Sequence, residues 1–337
     1  MDNNHQNRNI MCIDLKSFFA FVECVERGLD PYTTPLIVCN PEQKGAITLA
    51  VTPFLKSQGI PGRVRVYDIP KNITYVKVPP RMSLYQRKSK EVISIYLKYV
   101  AKEDLHVYSI DECFLDVTNY LKMYNMTDYE LALTILNDIK KTTGLVGTAG
   151  IGPNMLLAKI SMDIEAKHTK DNIAKWTYDD VKTKLWNIKP LSKMWGIGAN
   201  LEKRLNNMNI YSVKELALTD INKLIKEFGI LGGELYYHAN GIDDSKISDL
   251  NNYQPKEKSI SNSQVLFKDY FDFNIDIIIY EIIDTLCRRL RKEKLLCGLI
   301  SLGIYSSRTS SGSFHHSLKL NERTDNANEI FRTAMYI

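Results

Sequence analysis

The sequence predicts an α+β fold in which a ferredoxin-like sheet carries acidic residues at its edge, and three observations lead to this prediction. Over residues 10–151, apolar patterns follow the order strand–helix–strand–strand–helix–strand, which is typical of a ferredoxin-like sheet. Residues 176–242 change to short helical patterns interrupted by glycine. Residues 259–337 return to mixed strand and helix patterns, so we expect a smaller α/β region there.

The composition is that of a folded protein. Of the 337 residues, 44% are hydrophobic and 25% are charged, which excludes a largely disordered or fibrous chain. The length exceeds what one hydrophobic core usually organises, so we expect several structural units. Lys and Arg number 44 against 39 Asp and Glu, an excess that permits nucleic-acid binding without indicating it.

The six cysteines indicate small core residues in a reducing compartment. They form no Cys-x-x-Cys pair, and four of them lie inside apolar runs, as Cys12 and Cys39 do. Residues 1–7 are polar, which argues against a signal peptide. Because no apolar run reaches the roughly 18 residues of a membrane helix, we expect a cytoplasmic protein without a membrane partner.

The first predicted strand, Ile10–Ile13, ends at the acidic residue Asp14. Apolar residues then recur at helical spacing, which predicts a helix with Ser17 as its N-cap. A short buried strand covers Leu36–Cys39. Residues 40–82 are rich in Pro and Gly, and this pattern predicts a small, loop-rich subdomain.

Two further predicted strands, Val107–Ile110 and Phe114–Val117, follow a helix over Arg87–Val100. Asp111 and Glu112 lie between these strands, at or next to a hairpin bend. The remaining predicted elements of this region are a helix over Tyr129–Lys141 that ends at Gly144, a strand over Leu145–Ile151 and a helix that runs to Lys167 with Asn154 as its cap.

The polar stretch Asp243–Lys258 has few apolar anchors and is predicted to be a linker. After it we expect a strand (Ser259–Phe267), a helix (Asp276–Lys292), two strands (Leu296–Tyr305 and Ser313–Leu320) and a last helix from about Asp325.

Three acids, Asp14, Asp111 and Glu112, are candidates for a metal site. Neighbouring strands lie about 4.8 Å apart, so acids at two adjacent strand ends can share cations. Carboxylate oxygens suit hard ions such as Mg²⁺, and two ions about 3.5–4 Å apart can clamp an in-line phosphoryl displacement. The alternative is that each acid is a solvated turn residue; the flanking apolar and aromatic residues favour the functional interpretation.

Four segments resemble the motifs of Y-family (translesion) DNA polymerases, in the same order and spacing: Asp14–Glu23, Tyr108–Asp116, Gly150–Lys159 and Trp195–Gly198. Lys16-Ser17 and the Trp-Gly-Ile-Gly sequence are most similar to the UmuC/UvrX-like branch (ImpB/MucB/SamB family). The resemblance implies a multidomain right-hand polymerase with a palm (8–17 and 83–175), fingers (18–82), a thumb with a helix-hairpin-helix (176–242), a linker (243–258) and a little finger (259–337). The family continues into a final strand beyond the position of Ile337, so we expect either a truncated chain or an unusually short little finger.

The resemblance implies low-fidelity, template-directed DNA synthesis on damaged templates. Asp14, Asp111 and Glu112, together with the Leu15 carbonyl, become the ligands of two Mg²⁺ ions, for which Mn²⁺ can substitute. One ion would lower the pKa of the primer 3′-hydroxyl and the other would hold the triphosphate. The small fingers imply an open site, and the absence of a second acidic set implies that there is no proofreading.

The implied nucleotide-binding residues begin with the aromatic pair Phe18 and Phe19. Phe19 falls at the steric gate, where a ring under the sugar excludes a 2′-hydroxyl, whereas Phe18 fits a core position better. Ala46 and Thr48 would lie over the nascent base pair.

Two lysines, Lys56 and Lys159, match positions that contact the triphosphate, although a solvated surface lysine is the alternative for Lys56. The sequence departs from the family twice nearby. Pro53 stands roughly where many relatives have a tyrosine, and Met155 replaces a frequent lysine, so the phosphate contacts differ from the family pattern.

Duplex DNA is the expected partner of two regions. A glycine turn lets backbone N–H groups approach a phosphate, and a basic helix end supplies charge, although a solvated helix face is the alternative for the latter. The implied DNA-binding residues are Gly196, Ile197, Gly198, Lys258, Ser259, Arg288, Arg289, Arg291 and Lys292.

The expected partners are primer–template DNA and dNTPs. The family resemblance suggests a sliding clamp and a RecA-type filament as further partners, and neither is inferred from this chain. Gln264–Phe267 faintly resembles a clamp-binding peptide, but it lies in a predicted strand and is interpreted as core.

Three other functions are alternatives to a polymerase: a palm-type nucleotidyl cyclase, a two-metal nuclease and a catalytically inactive DNA-binding scaffold of a mutasome. The glycine turn, the gate aromatic and the intact acids favour a polymerase.

Overall fold

The computed structural model describes residues 8–43, 45–255, 258–266, 268–271, 273–306 and 312–337. The chain divides into two compact units, residues 1–253 and 254–337. This boundary lies within the predicted linker. Among the described residues, none of the helices is both long and apolar enough to span a bilayer.

The strands of the described chain are β1 (Ile10–Leu15), β2 (Leu36–Val38), β3 (Ala50–Val51), β4 (Val76–Val78), β5 (Leu105–Val107), β6 (Glu112–Asp116), β7 (Gly147–Gly152), β8 (Ile173–Lys175), β9 (Cys297–Tyr305) and β10 (Ser313–Thr324). The α-helices are α1 (Phe18–Val25), α2 (Pro53–Ser57), α3 (Met82–Tyr96), α4 (Leu121–Tyr124), α5 (Asp128–Thr143), α6 (Met155–Ile164), α7 (Asp180–Thr183), α8 (Ala199–Asn207), α9 (Val213–Leu218), α10 (Ile221–Phe228), α11 (Ile230–Ala239), α12 (Ile247–Asn252), α13 (Ile275–Lys292) and α14 (Ala327–Tyr336).

The first unit is organised around a five-stranded sheet with the order β5-β6-β1-β7-β8. β1 is antiparallel to both β6 and β7, and β8 adds to β7 in parallel. Without β8, this is the ferredoxin-like order that the sequence predicts. The two faces of β1 pack differently because side chains alternate along a strand. Met11 and Ile13 join a core with α3 and α5, whereas Ile10 and Cys12 face α6.

Helix α6 packs unusually close to the sheet because β7 presents glycine to it. A Cβ atom at Gly150 would lie 2.1 Å from the carbonyl oxygen of Ala158, and one at Gly152 would lie 2.5 Å from the nitrogen of the same residue. Only glycine leaves room for this approach. The Asn154 side chain accepts a hydrogen bond from the Leu157 N–H at 2.9 Å, which confirms the predicted cap.

Ser17 occupies the predicted N-cap position of α1 but does not cap the helix with its side chain. Ser17 precedes α1 but has a left-handed backbone conformation (φ 45°) and makes no side-chain capping bond. By contrast, α5 begins with a capping box in which Thr127 and Glu130 satisfy each other's backbone N–H groups, and it ends at Gly144 (φ 72°), as predicted.

The loop-rich region forms a three-stranded sheet with the order β3-β2-β4 and its own small core around Ile37, Val51 and Leu55. Residues 176–239 form the expected series of short helices around a separate core that includes Trp176, Leu205 and Leu235. Each of these regions therefore has a hydrophobic core of its own.

The predicted linker is partly structured. Helix α12 lies inside it, and Ile247 is buried against the α6 side of the sheet. The Asn251 amide donates to the Leu105 carbonyl at 2.9 Å. Residues 243–252 therefore belong to the first unit, because they supply both an apolar anchor and hydrogen bonds that the polar pattern did not predict.

In the second unit, α13 and α14 pack on the antiparallel pair β9–β10. Buried residues recur at helical spacing along α13, at Ile279, Ile283, Cys287 and Leu290. The strand predicted at Ser259–Phe267 is not formed in its described part, 259–266, because no neighbouring strand pairs with it. The interpretation of Gln264–Phe267 as core is correspondingly wrong at Val265, which is 82% exposed, while Phe267 lies outside the described residues.

Candidate active site

The strand register brings the predicted acids together at one end of β1. Asp14 lies opposite Glu112 on the neighbouring strand β6. Asp111 immediately precedes β6, and its carbonyl accepts a hydrogen bond from the Leu15 N–H at 2.9 Å. The Ser109 hydroxyl donates to the Asp111 carboxylate at 2.8 Å. Asp14 and the distant pair Asp111 and Glu112 thus occupy two adjacent strand ends.

Glu112 is held from the α6 side of the sheet. Its Oε1 accepts hydrogen bonds from the Cys12 thiol at 3.1 Å and from the Lys159 ammonium at 2.7 Å. The Lys159 ammonium also contacts Asp163 at 2.9 Å, and only 10% of its side chain is exposed. Burial alone would lower the pKa of Lys159, but the surrounding acidic groups, Glu112 among them, raise it overall. Lys159 is therefore a charged partner of two carboxylates.

Asp14 is less well compensated. Burial raises its pKa to about 6; Lys167 opposes this shift, whereas Asp111 and Glu112 add to it. The Lys167 ammonium lies 3.6 Å from the Asp14 carboxylate and 2.7 Å from that of Asp163. Asp163 therefore contacts both lysines that neutralise the acids, and its own pKa is lowered by them against the effect of burial.

Three lysines form a basic side of the site: Lys16, Lys56 and Lys167. Burial lowers the pKa of Lys56, and repulsion from Lys167 lowers it further. The pKa of Lys16 is also lowered, first by burial and then by repulsion from Lys167 and Lys56. Positive charges that repel one another beside a carboxylate cluster can be stabilised by an anion. Lys167 was not among the predicted residues, although its spacing of four from Asp163 on the motif helix was a visible signal.

The aromatic pair of α1 separates as the sequence predicts. Phe18 is 2% exposed and belongs to the core, the position that fits it better, and its contact with a nucleotide stays a prediction. Phe19 is partly exposed, and its ring centroid lies 4.7 Å from that of Tyr85, with 32° between the ring planes. The Tyr85 hydroxyl donates to Glu23 at 2.7 Å, so Phe19 rests on an anchored ring.

Ala46 and Thr48 do not present their side chains at the surface. They are 3% and 1% exposed, and the Thr48 hydroxyl accepts from the Val64 N–H at 3.0 Å. Their role over the base pair stays a prediction. The exposed positions are the alternate ones, Ile47 at 54% and Leu49 at 42%, because successive side chains of extended backbone point in opposite directions.

The predicted DNA-binding turn is formed as a helix-terminal loop. Gly196 has φ 89°, which favours glycine, and Gly198 precedes α8. Ile197 is 4% exposed, and its N–H donates to the Met194 carbonyl at 3.1 Å. Ile197 thus anchors the turn, and neither its side chain nor its N–H is free for DNA.

The basic residues of the second unit are partly engaged within that unit. Arg288 pairs with Asp284, Arg289 donates to the Ser261 carbonyl at 3.0 Å, and Arg291 donates to the Asp325 carbonyl at 3.1 Å. Lys258, Ser259 and Lys292 are exposed.

The donor set fits hard divalent cations. Asp14, Asp111 and Glu112 supply carboxylate oxygens, and the unfavourable charge of Asp14 is what a cation would relieve. In the part of the chain that the structure describes, no group of three or more His, Cys, Asp or Glu side chains is assembled as a ready-made metal site. Lys159 and Lys167 contact these carboxylates instead.

The fold defines the class of protein. It matches the solved structure of the Y-family DNA polymerase chimera Dbh-Dpo4(243-245)-Dbh with a TM-score of 0.71 and 21% identity, over 97% of this chain and 92% of that one. The fold is therefore that of the Y-family polymerases, as the sequence motifs predicted.

The chain belongs to the impB/mucB/samB family. The family model matches residues 13–163, its C-terminal domain matches 257–337, and the IMS family HHH motif matches 178–210. UvrX of Bacillus subtilis (strain 168), provisionally named as a UV-damage repair protein, is 39% identical over 98% of this chain and 78% of its own length. DNA polymerase IV 2 of the same strain is 32% identical over 96% of this chain and 78% of its own length.

Proposed function

We propose that this chain is a template-directed DNA polymerase of the Y family that carries out low-fidelity translesion synthesis in the DNA damage response. The carrying observation is the register of β1 and β6, which places Asp14 opposite Glu112, with Asp111 adjacent and three lysines alongside. An acidic cluster beside a basic one matches a reaction in which an anionic triphosphate meets metal-binding carboxylates.

Asp14, Asp111 and Glu112, with the Leu15 carbonyl, would hold two Mg²⁺ ions, and Mn²⁺ would substitute. When bound, the ions supply activation of the primer 3′-hydroxyl and charge neutralisation of the triphosphate. Lys159 and Lys167 would be displaced from the carboxylates when the ions bind. Asp163 would keep both lysines nearby, because it already contacts each of them.

Lys56 and Lys167 are the proposed triphosphate contacts. Lys167 replaces Lys159 in this role because its side chain is 38% exposed, against 10% for Lys159. Phe19, supported by Tyr85, is proposed to exclude a 2′-hydroxyl. Ile47 and Leu49 are proposed to contact the nascent base pair in place of their buried neighbours.

The proposed partners are primer–template DNA and dNTPs. The glycine turn Gly196–Gly198 and the exposed Lys258 and Lys292 would contact duplex phosphates, by charge and by backbone N–H groups. The boundaries of palm, fingers, thumb and little finger, and a cytoplasmic location, are part of the same proposal. A sliding clamp and a RecA-type filament enter through the family alone.

Primer extension tests this function directly. The double variant Asp111→Ala, Glu112→Ala should lose templated dNTP addition while it still binds primer–template duplex, because it removes metal ligands and leaves the duplex contacts intact. Glu103→Ala, which removes an exposed acid elsewhere, is the matched control and should extend normally. Duplex binding by the wild type without any extension would instead support a DNA-binding scaffold.

Phe19→Ala tests the gate. The variant should admit ribonucleotides that the wild type rejects, because the ring no longer fills the space beneath the sugar. Equal ribonucleotide rejection by both proteins would remove Phe19 from the site, and Phe18→Leu, a change in the core, is the control.

A further inference from the structure

An aromatic clasp, consisting of Tyr108, Phe114 and Trp195, joins the glycine turn to the loop that carries two of the acids. The Trp195 ring centroid lies 5.9 Å from that of Tyr108 and 6.0 Å from that of Phe114, and the latter two lie 5.7 Å apart. The Trp195 indole N–H donates to the Tyr108 hydroxyl at 3.2 Å. The distances are those of favourable aromatic pairs.

One end of the aromatic clasp is fixed to the acids. The backbone N–H groups of Tyr108 and Ser109 both donate to the Glu112 carbonyl, each at 3.0 Å. The Ser109 hydroxyl donates to the Asp111 carboxylate at 2.8 Å. Phe114 follows Glu112 by two positions on β6, so both side chains lie on the same face of the sheet. A displacement of Tyr108 therefore shifts the backbone that carries Asp111 and Glu112.

The other end is fixed to the glycine turn. Trp195 immediately precedes Gly196, and the turn is anchored below by Met194 and Ile197, which are 1% and 4% exposed. The Ile197 N–H donates to the Met194 carbonyl. The Trp195 ring itself packs on the α6 side of the sheet, against the core that contains Phe114. A movement of the turn is therefore transmitted to this ring.

We propose that the aromatic clasp couples duplex contact at the glycine turn to the placement of Asp111 and Glu112, and that Trp195 and Tyr108 are positioning residues for nucleotidyl transfer. The inference rests on the proposed polymerase function. Simple core packing would not require the polar contact, and Tyr108 is 47% exposed, so its ring is not a core residue. The aromatic clasp connects two segments that are each assigned a separate task and are 87 residues apart in sequence.

Hydrogen exchange on the full chain tests the coupling without catalysis. Primer–template duplex, added without metal or nucleotide, should slow amide exchange in peptides that cover 105–116 in the wild type. In Trp195→Ala this protection should disappear, while the duplex dissociation constant changes by less than about threefold. Equal protection in the two proteins would overturn the proposal.

Conservative variants keep the test valid if Trp195→Ala fails to fold. Tyr108→Phe and Trp195→Phe each remove the polar contact but retain a ring, so they should lose part of the protection. Trp186→Phe is the matched control, because it removes an indole hydrogen bond to the Ala239 carbonyl (3.0 Å) that lies wholly within the helical region. A loss of protection in this control as large as in Trp195→Phe would mean that any tryptophan loss has this effect, and it would overturn the proposal.

Kinetics supply a second readout. In the two clasp variants Tyr108→Ala and Trp195→Ala, kcat for dNTP addition should fall about tenfold, with KM for dNTP and the melting temperature little changed. The double variant should be no slower than the slower single one, because both changes break one unit. If kcat fell in proportion to the melting temperature, or if the losses of kcat in the two single variants were additive, the aromatic clasp would be a packing contact only, and the proposal would be overturned. A wild type that binds duplex but extends nothing would refute the proposed function, and hydrogen exchange would still decide the coupling.

Discussion

Two carboxylates of the first unit, Asp14 and Glu23, are both withdrawn from solvent, yet their surroundings act in opposite directions. Glu23 is fully buried on α1 and accepts two hydrogen bonds from Arg81, at 2.9 and 2.7 Å, one from Tyr85 at 2.7 Å and one from Arg27. Burial by itself raises the pKa of Glu23, but the bonds from Arg81, Tyr85 and Arg27 outweigh it, and the pKa is lowered.

Asp14 has a more distant cation, Lys167 at 3.6 Å, and two acids near it, so its pKa is raised to about 6, chiefly by burial. The difference shows that burial does not identify a functional carboxylate. In these two residues the number and sign of the partners make the difference: Glu23 is paired with two arginines, whereas Asp14 has one more distant cation and two acidic neighbours.

The strongest test of this comparison is Asp14→Asn. The amide should lower primer extension by about three orders of magnitude, because a neutral side chain no longer attracts a cation. The free energy of unfolding without metal should stay equal or rise by about 1 kcal/mol, since an under-compensated charge is removed. Rate and urea unfolding measured on the same preparation check both statements, and a large loss of stability would contradict the second.

Glu23→Gln should give the opposite pattern. We expect a loss of about 2–4 kcal/mol in the free energy of unfolding, because the arginines lose the charge that pairs with them. Extension at a permissive temperature should remain within a few-fold of the wild type. Glu26→Gln, at the C-cap of the same helix, is the control and should cost little, because the Glu26 side chain that pairs with Lys88 at 3.2 Å is 31% exposed. If the two variants proved equally stable, the structural role of Glu23 would be refuted.

Much of the sheet could be predicted from the sequence because apolar strands and capped helices leave local signals. The ends of β1 and β6 and the cap at Asn154 are determined by nearby residues, so the placement of the acids followed. By contrast, the partners of those acids are set by tertiary packing. That Lys159 faces Glu112 depends on how closely α6 approaches β7, which the glycines of β7 permit.

The errors occur where a local pattern has no tertiary partner or where its phase is uncertain. The alternating residues at 259–266 resemble a strand, but a strand needs a neighbour, and no strand in the described part of the chain pairs with them. Ala46 and Thr48, which are predicted to lie over the base pair, are buried, whereas the alternate residues Ile47 and Leu49 are exposed. A shift of one residue exchanges the two faces of extended backbone.

The variant Asp163→Asn tests whether a carboxylate that contacts two lysines positions one of them for the triphosphate. Asp163 contacts Lys159 at 2.9 Å and Lys167 at 2.7 Å, so it should position Lys167 for the triphosphate. We expect KM for dNTP to rise about fivefold, which corresponds to about 1 kcal/mol, the net effect of one typical hydrogen bond, with duplex affinity unchanged. Asp138→Asn, which breaks a surface pair with Lys98 (3.1 Å), is the control. An unchanged KM would show that Lys167 needs no support from Asp163.

The smallest expected effect is the pH dependence of the contribution that Glu23 makes to the free energy of unfolding. Because the pKa of Glu23 is lowered by folding, its stabilising effect is fully present above the pKa of an unfolded glutamate, about 4.3, and declines as the pH falls towards the folded value. The stability gap between wild type and Glu23→Gln should therefore be constant from pH 8 to about pH 5 and narrow by up to about 1 kcal/mol by pH 3.5. Asp14 titrates in both proteins and cancels from the difference. Urea unfolding across this range measures the gap directly. A gap that widened in acid would mean that the pKa of Glu23 is raised, as that of the partly exposed Asp14 is, and the two carboxylates would then belong to one electrostatic class.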